Sequence, residues 1–143
     1  VGTQSRAWLP HQFPLPLWQR IASRYGLKLS EADLSLGFRA WLIQHPEIDI
    51  TICEGAKKAA CLLSLGYAAI ALPGIFNGYR KNNQGLIPDL AAIAVPGRPI
   101  SICFDHDLKP RTIENVNLAT KRLGTLFLES GCTVRVIPLP GPE

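Results

Sequence analysis

The sequence predicts an α/β fold: a parallel four-stranded sheet of the Rossmann type, flanked by helices and preceded by a short helical segment. Two patterns indicate it. From Asp49 onward, short apolar runs alternate with helical patterns, in the order that is typical of parallel sheets. The first three runs are continuously apolar, as expected of strands covered on both faces. With 143 residues, 47% hydrophobic and 18% charged, the chain is large enough for a buried core and is not a disordered protein.

The first part of the chain, residues 1–47, is predicted to be a helical lead segment, and residues 48–143 are predicted to form the α/β domain. The first helix has its apolar residues at helical spacing and ends at Gly26. Ser30 is a suitable N-cap for a second helix, which Pro46 closes. Nothing in this segment indicates chemistry.

The remaining elements follow in alternation, and turn residues or acidic residues separate them. The predicted strands cover residues 50–53, 68–72, 99–104 and 132–137. The predicted helices between them cover residues 56–65, 88–94 and 112–130.

The composition gives no indication of a membrane or secreted protein. The longest apolar stretch, residues 67–75, is too short to span a bilayer, and no charged start followed by an apolar run opens the chain. The net charge of +4 and the pI near 9.0 indicate a mild preference for polyanions. Because the chain begins at Val1 and contains no methionine, we expect it to be a piece of a longer protein.

The four cysteines indicate a reducing, cytoplasmic setting rather than a disulfide framework. Cys53, Cys61, Cys103 and Cys132 stand far apart and form no C-x-x-C pair, which argues against a zinc ribbon. Cys53 and Cys103 lie in strand-like runs, where a free cysteine behaves as a small apolar residue. Together with His106 they are an alternative ligand set for zinc.

Three acidic residues follow two of the predicted strands. Glu54 comes after the first strand, and Asp105 and Asp107 come after the third. In open parallel sheets, ligands bind beyond the carboxyl ends of the strands, so these residues are candidates for one site. Side chains two apart on an extended segment point the same way, and oxygen ligands suit Mg²⁺ or Mn²⁺. The alternative is that these residues cap the helices that follow them.

Several basic residues are predicted at the same edge and are candidates for phosphate or nucleic-acid binding. Lys57 and Lys58 lie in the first turn of the helix after Glu54, where cations oppose the helix dipole. The loop after the second strand carries Arg80 and Lys81, and Lys109 follows the aspartate pair. Because cations are unfavourable in the first turn of a helix, their presence there beside a predicted site suggests that they bind a phosphate. Ordinary solvated side chains are the alternative.

Two other arginines are expected away from that edge. Arg98 stands just before the third predicted strand, and Arg135 lies within the fourth. Neither should contact a ligand bound beside Glu54. Both are therefore expected to serve as controls in binding experiments.

Two of these segments resemble the motifs of the Toprim (topoisomerase–primase) domain. Residues 50–55, ITICEG, resemble its first motif, in which a strand delivers a glutamate followed by glycine. Residues 102–107, ICFDHD, resemble its second motif, an apolar strand that ends in D-x-D. More narrowly, residues 54–59, EGAKKA, are similar to a Toprim-like family found in replication proteins of plasmids, phages and cyanobacteria. The resemblance covers about residues 48–139.

The resemblance implies a site and a reaction. It implies that Glu54 is an acid–base or metal-coordinating residue and that Asp105 and Asp107 are Mg²⁺ ligands. The chain departs from the family in two ways, because His106 stands where a small residue is common and the acidic stretch expected after the fourth strand is absent before Glu143. Both departures bear on whether this piece is active.

The function implied is Mg²⁺-dependent phosphodiester chemistry on nucleic acid, with primase-type nucleotidyl transfer as the leading interpretation. The alternatives are a nuclease and a non-catalytic module that binds DNA or a replication partner. The implied partners are single-stranded DNA and nucleotides. Helicase or polymerase domains are expected to flank the segment in the full-length protein.

Overall fold

The four predicted strands form one all-parallel sheet, which confirms the α/β prediction. A computed structural model of the chain describes residues 7–9, 13–79, 85–104 and 110–137, with side chains in the last range from residue 113 onward. Within these ranges the strand order is β2-β1-β3-β4. The strands are β1 (Ile50–Glu54), β2 (Ala69–Leu72), β3 (Pro99–Cys103) and β4 (Thr133–Val136). The helices are α1 (Leu15–Arg24), α2 (Glu31–Leu36), α3 (Phe38–Gln44), α4 (Ala56–Ser64), α5 (Pro88–Ala91) and α6 (Pro110–Glu129).

The central strands β1 and β3 are covered on both faces, as their apolar sequences predict. Helix α4 packs against β1 and β2, and α6 packs against β3 and β4. The outer edge of β2 is also covered, because Trp8 and Ala71 exchange backbone hydrogen bonds of 2.6 and 3.1 Å in an antiparallel bridge. This pairing removes one free edge of the sheet.

The first helix ends where the sequence predicts, at a glycine in the left-handed region. Gly26 has φ +68°, and the N–H of Leu27 donates to the carbonyl of Ala22 at 2.9 Å, which closes a Schellman motif. The ends of α4 and α6 repeat this arrangement at Gly66 and Gly131. No helix in the described ranges is both long and apolar enough to cross a membrane.

The predicted second helix is two helices in the structure. Its start is confirmed, because Ser30 and Asp33 form a capping box with hydrogen bonds of 3.1 and 2.9 Å. Gly37, at φ +99°, then breaks the helix between α2 and α3. The break reorients the chain so that Phe38 and Trp41 enter the core, while Leu34 on α2 stays exposed. The uninterrupted helix was therefore a wrong prediction, because a glycine inside a helical pattern can either be tolerated or end the helix.

One hydrophobic core joins the helical lead segment to the sheet. Trp18 and Trp41 meet edge to face with ring centroids 5.8 Å apart, and both belong to the cluster that includes the strand residues Ile52 and Ile102. The predicted division at residue 47 stays a prediction.

Arg98 is the largest polar contributor to this junction. Its side chain is fully buried and donates to the carbonyl oxygens of Ile93, His45, Ile48 and Leu42 at 2.5–3.0 Å. Burial lowers its pKa from the usual value. Arg98 lies before β3, away from the carboxyl edge as expected, but it is a structural residue and cannot serve as the control that the sequence suggested.

We predict that Arg98→Met lowers the free energy of unfolding by about 3 kcal/mol or more, because four largely buried carbonyl oxygens lose their donor. Urea denaturation followed by circular dichroism measures the change. The matched control is Arg135→Met, whose side chain is 70% exposed and should cost less than about 1 kcal/mol. Equal denaturation midpoints for the two variants would contradict the structural role of Arg98.

Candidate functional site

Glu54 is the last residue of β1 and lies half-buried at the carboxyl edge of the sheet. It is in register with Leu72, the last residue of β2, and the N–H of Gly55 donates to the Leu72 carbonyl at 2.9 Å. Gly55 has φ +88°, although a Cβ there would meet no atom within 4 Å. The glycine is therefore required by the backbone conformation rather than by space, and it makes the sharp turn from β1 into α4.

The strand that precedes the aspartate pair lies next to β1. Cys53 and Cys103 are register partners, so β1 and β3 end side by side. Phe104, which follows β3, is still buried. Asp105 and Asp107 lie outside the described residues, as do His106 and Lys109. What the structure brings together is Glu54 and the strand end that leads to the aspartates.

Lys57 and Lys58 have different environments, although the sequence treats them alike. Lys57 is exposed, whereas the Nζ of Lys58 is shielded from solvent. The positive charge of Lys58 opposes the effect of burial on the pKa values of both Cys53 and Cys103. Lys58 is therefore close enough to Cys53 and Cys103, at the carboxyl ends of β1 and β3, for its charge to act on both thiols.

From the sequence, Cys53 and Cys103 at these strand ends were expected only to be core residues or zinc ligands. Cys53 is fully buried, and burial raises its pKa to about 11; the pKa of Cys103 is raised for the same reason. The Cys53 thiol faces the carbonyl of Ile70 at 3.7 Å. Among the described residues, no group of three histidine, cysteine or acidic side chains is arranged to hold a metal.

The loop after β2 starts at the same edge. Tyr79 and Leu86 form an antiparallel bridge, and the N–H of Ile87 donates to the carbonyl of Gly78 at 3.1 Å. A Cβ on Gly78 would lie 3.1 Å from Leu72, so the base of this loop packs tightly against the end of β2. Arg80 and Lys81, between the two bridge residues, lie outside the described ranges.

Comparisons with known proteins identify relatives without naming an activity. A family model described as "Domain of unknown function (DUF3854)" matches residues 38–143. The chain is 48% identical over 130 residues to an uncharacterized protein of Picosynechococcus sp.; the match covers 84% of this chain but 13% of that protein. No solved structure matches the chain. The resemblance to Toprim domains stays a prediction.

We predict that Cys61 is the fast-reacting thiol of the native protein at pH 8. Cys61 is exposed, whereas Cys53, Cys103 and Cys132 are buried. A pKa raised from 9.0 to about 11 leaves Cys53 with about a hundredfold smaller thiolate fraction at that pH. Alkylation with iodoacetamide, read by mass spectrometry of the peptides, measures the rates. If Cys61→Ser retained a fast-reacting thiol, or if Cys53 reacted readily below pH 9, the environment assigned to Cys53 would be wrong.

Proposed function

We propose that this chain, which belongs to the DUF3854 family, performs Mg²⁺- or Mn²⁺-dependent phosphodiester chemistry on nucleic acid as a Toprim-like domain, with primase-type nucleotidyl transfer as the reaction. The observation that carries the proposal is the parallel pairing of β1 with β3. Strand β1 ends in Glu54, and β3 leads directly to Asp105 and Asp107. The two neighbouring strands thus carry both acidic motifs in the order that the resemblance requires.

The proposed metal ligands are the carboxylates of Glu54, Asp105 and Asp107. Oxygen donors of this kind suit a hard cation that keeps part of its water shell and binds substrate phosphates. Glu54 meets the requirement for such a role, because the Gly55 turn holds it at the strand end and leaves it half-exposed. A carboxylate there can bind a cation or accept a proton from an attacking hydroxyl.

The proposed phosphate contacts come from Lys57, Lys58, Arg80, Lys81 and Lys109. Lys57 and Lys58 stand in the first turn of α4, whose N-terminal N–H groups also favour an anion. Lys58 supports the proposal because it stands in the first turn of α4, directly after Glu54 and Gly55, and its charge acts on the thiols at the ends of both central strands. A phosphate bound there would be adjacent to the proposed metal.

The substrates we propose are single-stranded DNA and nucleotides, in the cytoplasm, where four free cysteines are stable. The chain spans 13% of the length of the curated relative it matches. We therefore propose that helicase or polymerase domains accompany the segment in a full-length protein. A nuclease would use the same carboxylates to activate water, and a non-catalytic module would use the same cations to bind DNA.

Glu54→Gln is predicted to weaken Mn²⁺ binding and to abolish primer synthesis, because the isosteric amide is neither a charged ligand nor a base. Asp105→Asn and Asp107→Asn should do the same. Calorimetric titration with MnCl₂ measures the first effect, and incorporation of labelled nucleotide on a single-stranded template measures the second. Glu129→Gln, an exposed carboxylate on α6, is the matched control.

Three outcomes of these experiments distinguish the possible functions of this site. Loss of Mn²⁺ heat and of primer synthesis in Glu54→Gln, with an unchanged circular dichroism spectrum, supports the transferase. Nicking of DNA without primer synthesis identifies the nuclease. Equal Mn²⁺ heats in wild type and all three variants would overturn the metal site.

The dependence of DNA binding on salt tests the basic residues. For single-stranded DNA, log K falls by about 0.7 per unit of log salt for each phosphate contact. The double variant Lys57→Gln/Lys58→Gln loses two contacts, so its slope should be less steep by about 1.4. Lys121→Gln with Arg122→Gln, on the exposed side of α6, removes the same charge at another place. Fluorescence anisotropy of a labelled oligonucleotide gives the slopes. If both double variants flattened the slope equally, binding would be diffuse electrostatics.

A further inference from the structure

A cleft lies over one face of the sheet, and Glu54 is not among its lining residues. It has a volume of about 370 Å³ and is lined by residues that include Arg24, Tyr25, Asp49, Tyr67, Ser101 and Arg135. Asp49 directly precedes β1 and Tyr67 precedes β2, so this part of the cleft lies at the amino ends of the two strands, whereas Ile137 follows β4 at the other end of the cleft. Five residue steps along β1 separate Asp49 from Glu54 by roughly 16 Å at 3.3 Å per residue.

One wall of the cleft carries Arg24, which two contacts hold in place. Its Nη2 donates to the carbonyl of Leu65 at 3.2 Å, and its guanidinium lies 4.2 Å from the centroid of the Tyr67 ring. A guanidinium has five N–H donors. Within the described part of the chain, the remaining donors of Arg24 have no protein acceptor.

A second wall carries Arg135, which an acidic network holds. Its Nη2 lies 3.0 Å from Asp49 Oδ2. Asp49 is itself fixed, because both carboxylate oxygens accept from Ser101 Oγ at 3.0 Å and its N–H donates to the Tyr25 hydroxyl at 3.1 Å. Ser101 and Arg135 are register partners on β3 and β4, so they share a face of the sheet. Arg135 is thus oriented while its other donors stay open to solvent.

The electrostatics of the cleft favour an anion. Its charged lining residues are Arg24, Arg135 and Asp49, which sum to one positive charge. Helix α4 ends here, and the carbonyls at a helix C-terminus repel anions. Two of those carbonyls are already occupied, since Arg20 donates to Ser64 at 3.3 Å and Arg24 to Leu65. The helix end therefore opposes an anion only weakly.

The cleft also offers an apolar surface beside its two guanidinium groups. Tyr67 is 47% exposed and Ile137 is 37% exposed. A small inorganic anion would leave both uncovered, whereas an anion with a planar organic body would cover them. The volume falls in the range of pockets that bind small organic ligands.

We propose that this cleft binds a nucleoside phosphate, with the phosphate between Arg24 and Arg135 and the base against Tyr67. Guanidinium groups bind phosphate oxygens in a bidentate manner, and each of the two is held by one hydrogen bond that leaves its other N–H donors for a ligand. The site uses neither Glu54 nor a metal ion, so it goes beyond the proposed function. It gives the chain a nucleotide site that does not include Glu54.

Calorimetric titration of the chain with ADP in EDTA tests this site without any contribution from metal. We expect wild type to bind ADP, and Arg24→Gln and Arg135→Gln each to weaken binding by roughly tenfold or more, as for the loss of a charged hydrogen bond. Arg122→Gln, an exposed arginine on α6, and Glu54→Gln should retain wild-type affinity. Pyrophosphate should bind roughly tenfold more weakly than ADP, because it leaves Tyr67 uncovered.

Four outcomes overturn the proposal: no ADP heat in EDTA, equal weakening by Arg122→Gln, equal affinity for pyrophosphate and ADP, or binding of a single-stranded oligonucleotide in place of ADP. If Arg24→Gln fails to fold because α4 loses its capping arginine, Arg135→Gln decides alone, since its side chain is mostly exposed. Failure of the metal site would appear as unchanged Mn²⁺ binding in Glu54→Gln. The two proposals therefore fail independently.

Discussion

The parallel pairing of β1 with β3 is the contact on which the rest of the structure depends. These two strands occupy the centre of the sheet, and every other strand is added to one of them. Their register places Ile52 opposite Ile102 in the core and Cys53 opposite Cys103 at the carboxyl edge. A slip of one residue would turn every side chain of the slipped strand to the opposite face, where it would meet a different layer of the core. The register that packs the core is therefore the same register that aligns Glu54 with the strand end that leads to the aspartates.

The second constraint is a buried cation. Removing the guanidinium of Arg98 from water costs several kcal/mol, and the carbonyl oxygens that surround it offset this cost. Those carbonyls belong to α3, to the turn before β1 and to the segment after α5, so one side chain joins parts that are distant in sequence. The aromatic cluster of Trp18, Phe38 and Trp41 adds an apolar contact at the same junction. These contacts hold the helical lead segment against the sheet.

The two ends of the sheet differ in chemistry. At the carboxyl edge, a shielded lysine lies near two thiols that burial keeps protonated, beside a glutamate on a tight turn. At the amino edge, arginines cap the end of α4 and pair with Asp49. For the first arrangement we propose a divalent cation and a phosphate as ligands. The second presents oriented N–H donors next to an aromatic surface, which is why we assign the two ends different ligands.

Local signals in the sequence determined the elements of this protein. The continuous apolar runs predicted the strands, Ser30 as an N-cap predicted the start of α2, and Gly26 predicted the end of α1, because each of these effects acts within a few residues. The place of Glu54 at the end of a strand followed from the same patterns. The adjacency of β1 and β3 did not, since strand order is a matter of contacts between distant segments.

The tertiary structure decided the rest, for reasons that a linear pattern does not contain. Gly37 ends a helix only because the core needs Phe38 and Trp41 on the other side of the break. Arg98 would be expected to be exposed until residues 42–48, about 50 residues earlier in the chain, supply three of the four carbonyls around it. Lys58 differs from Lys57 because one turns toward the strand ends and the other toward solvent. In each case the environment is made by residues far away in the chain, and only folding brings them together.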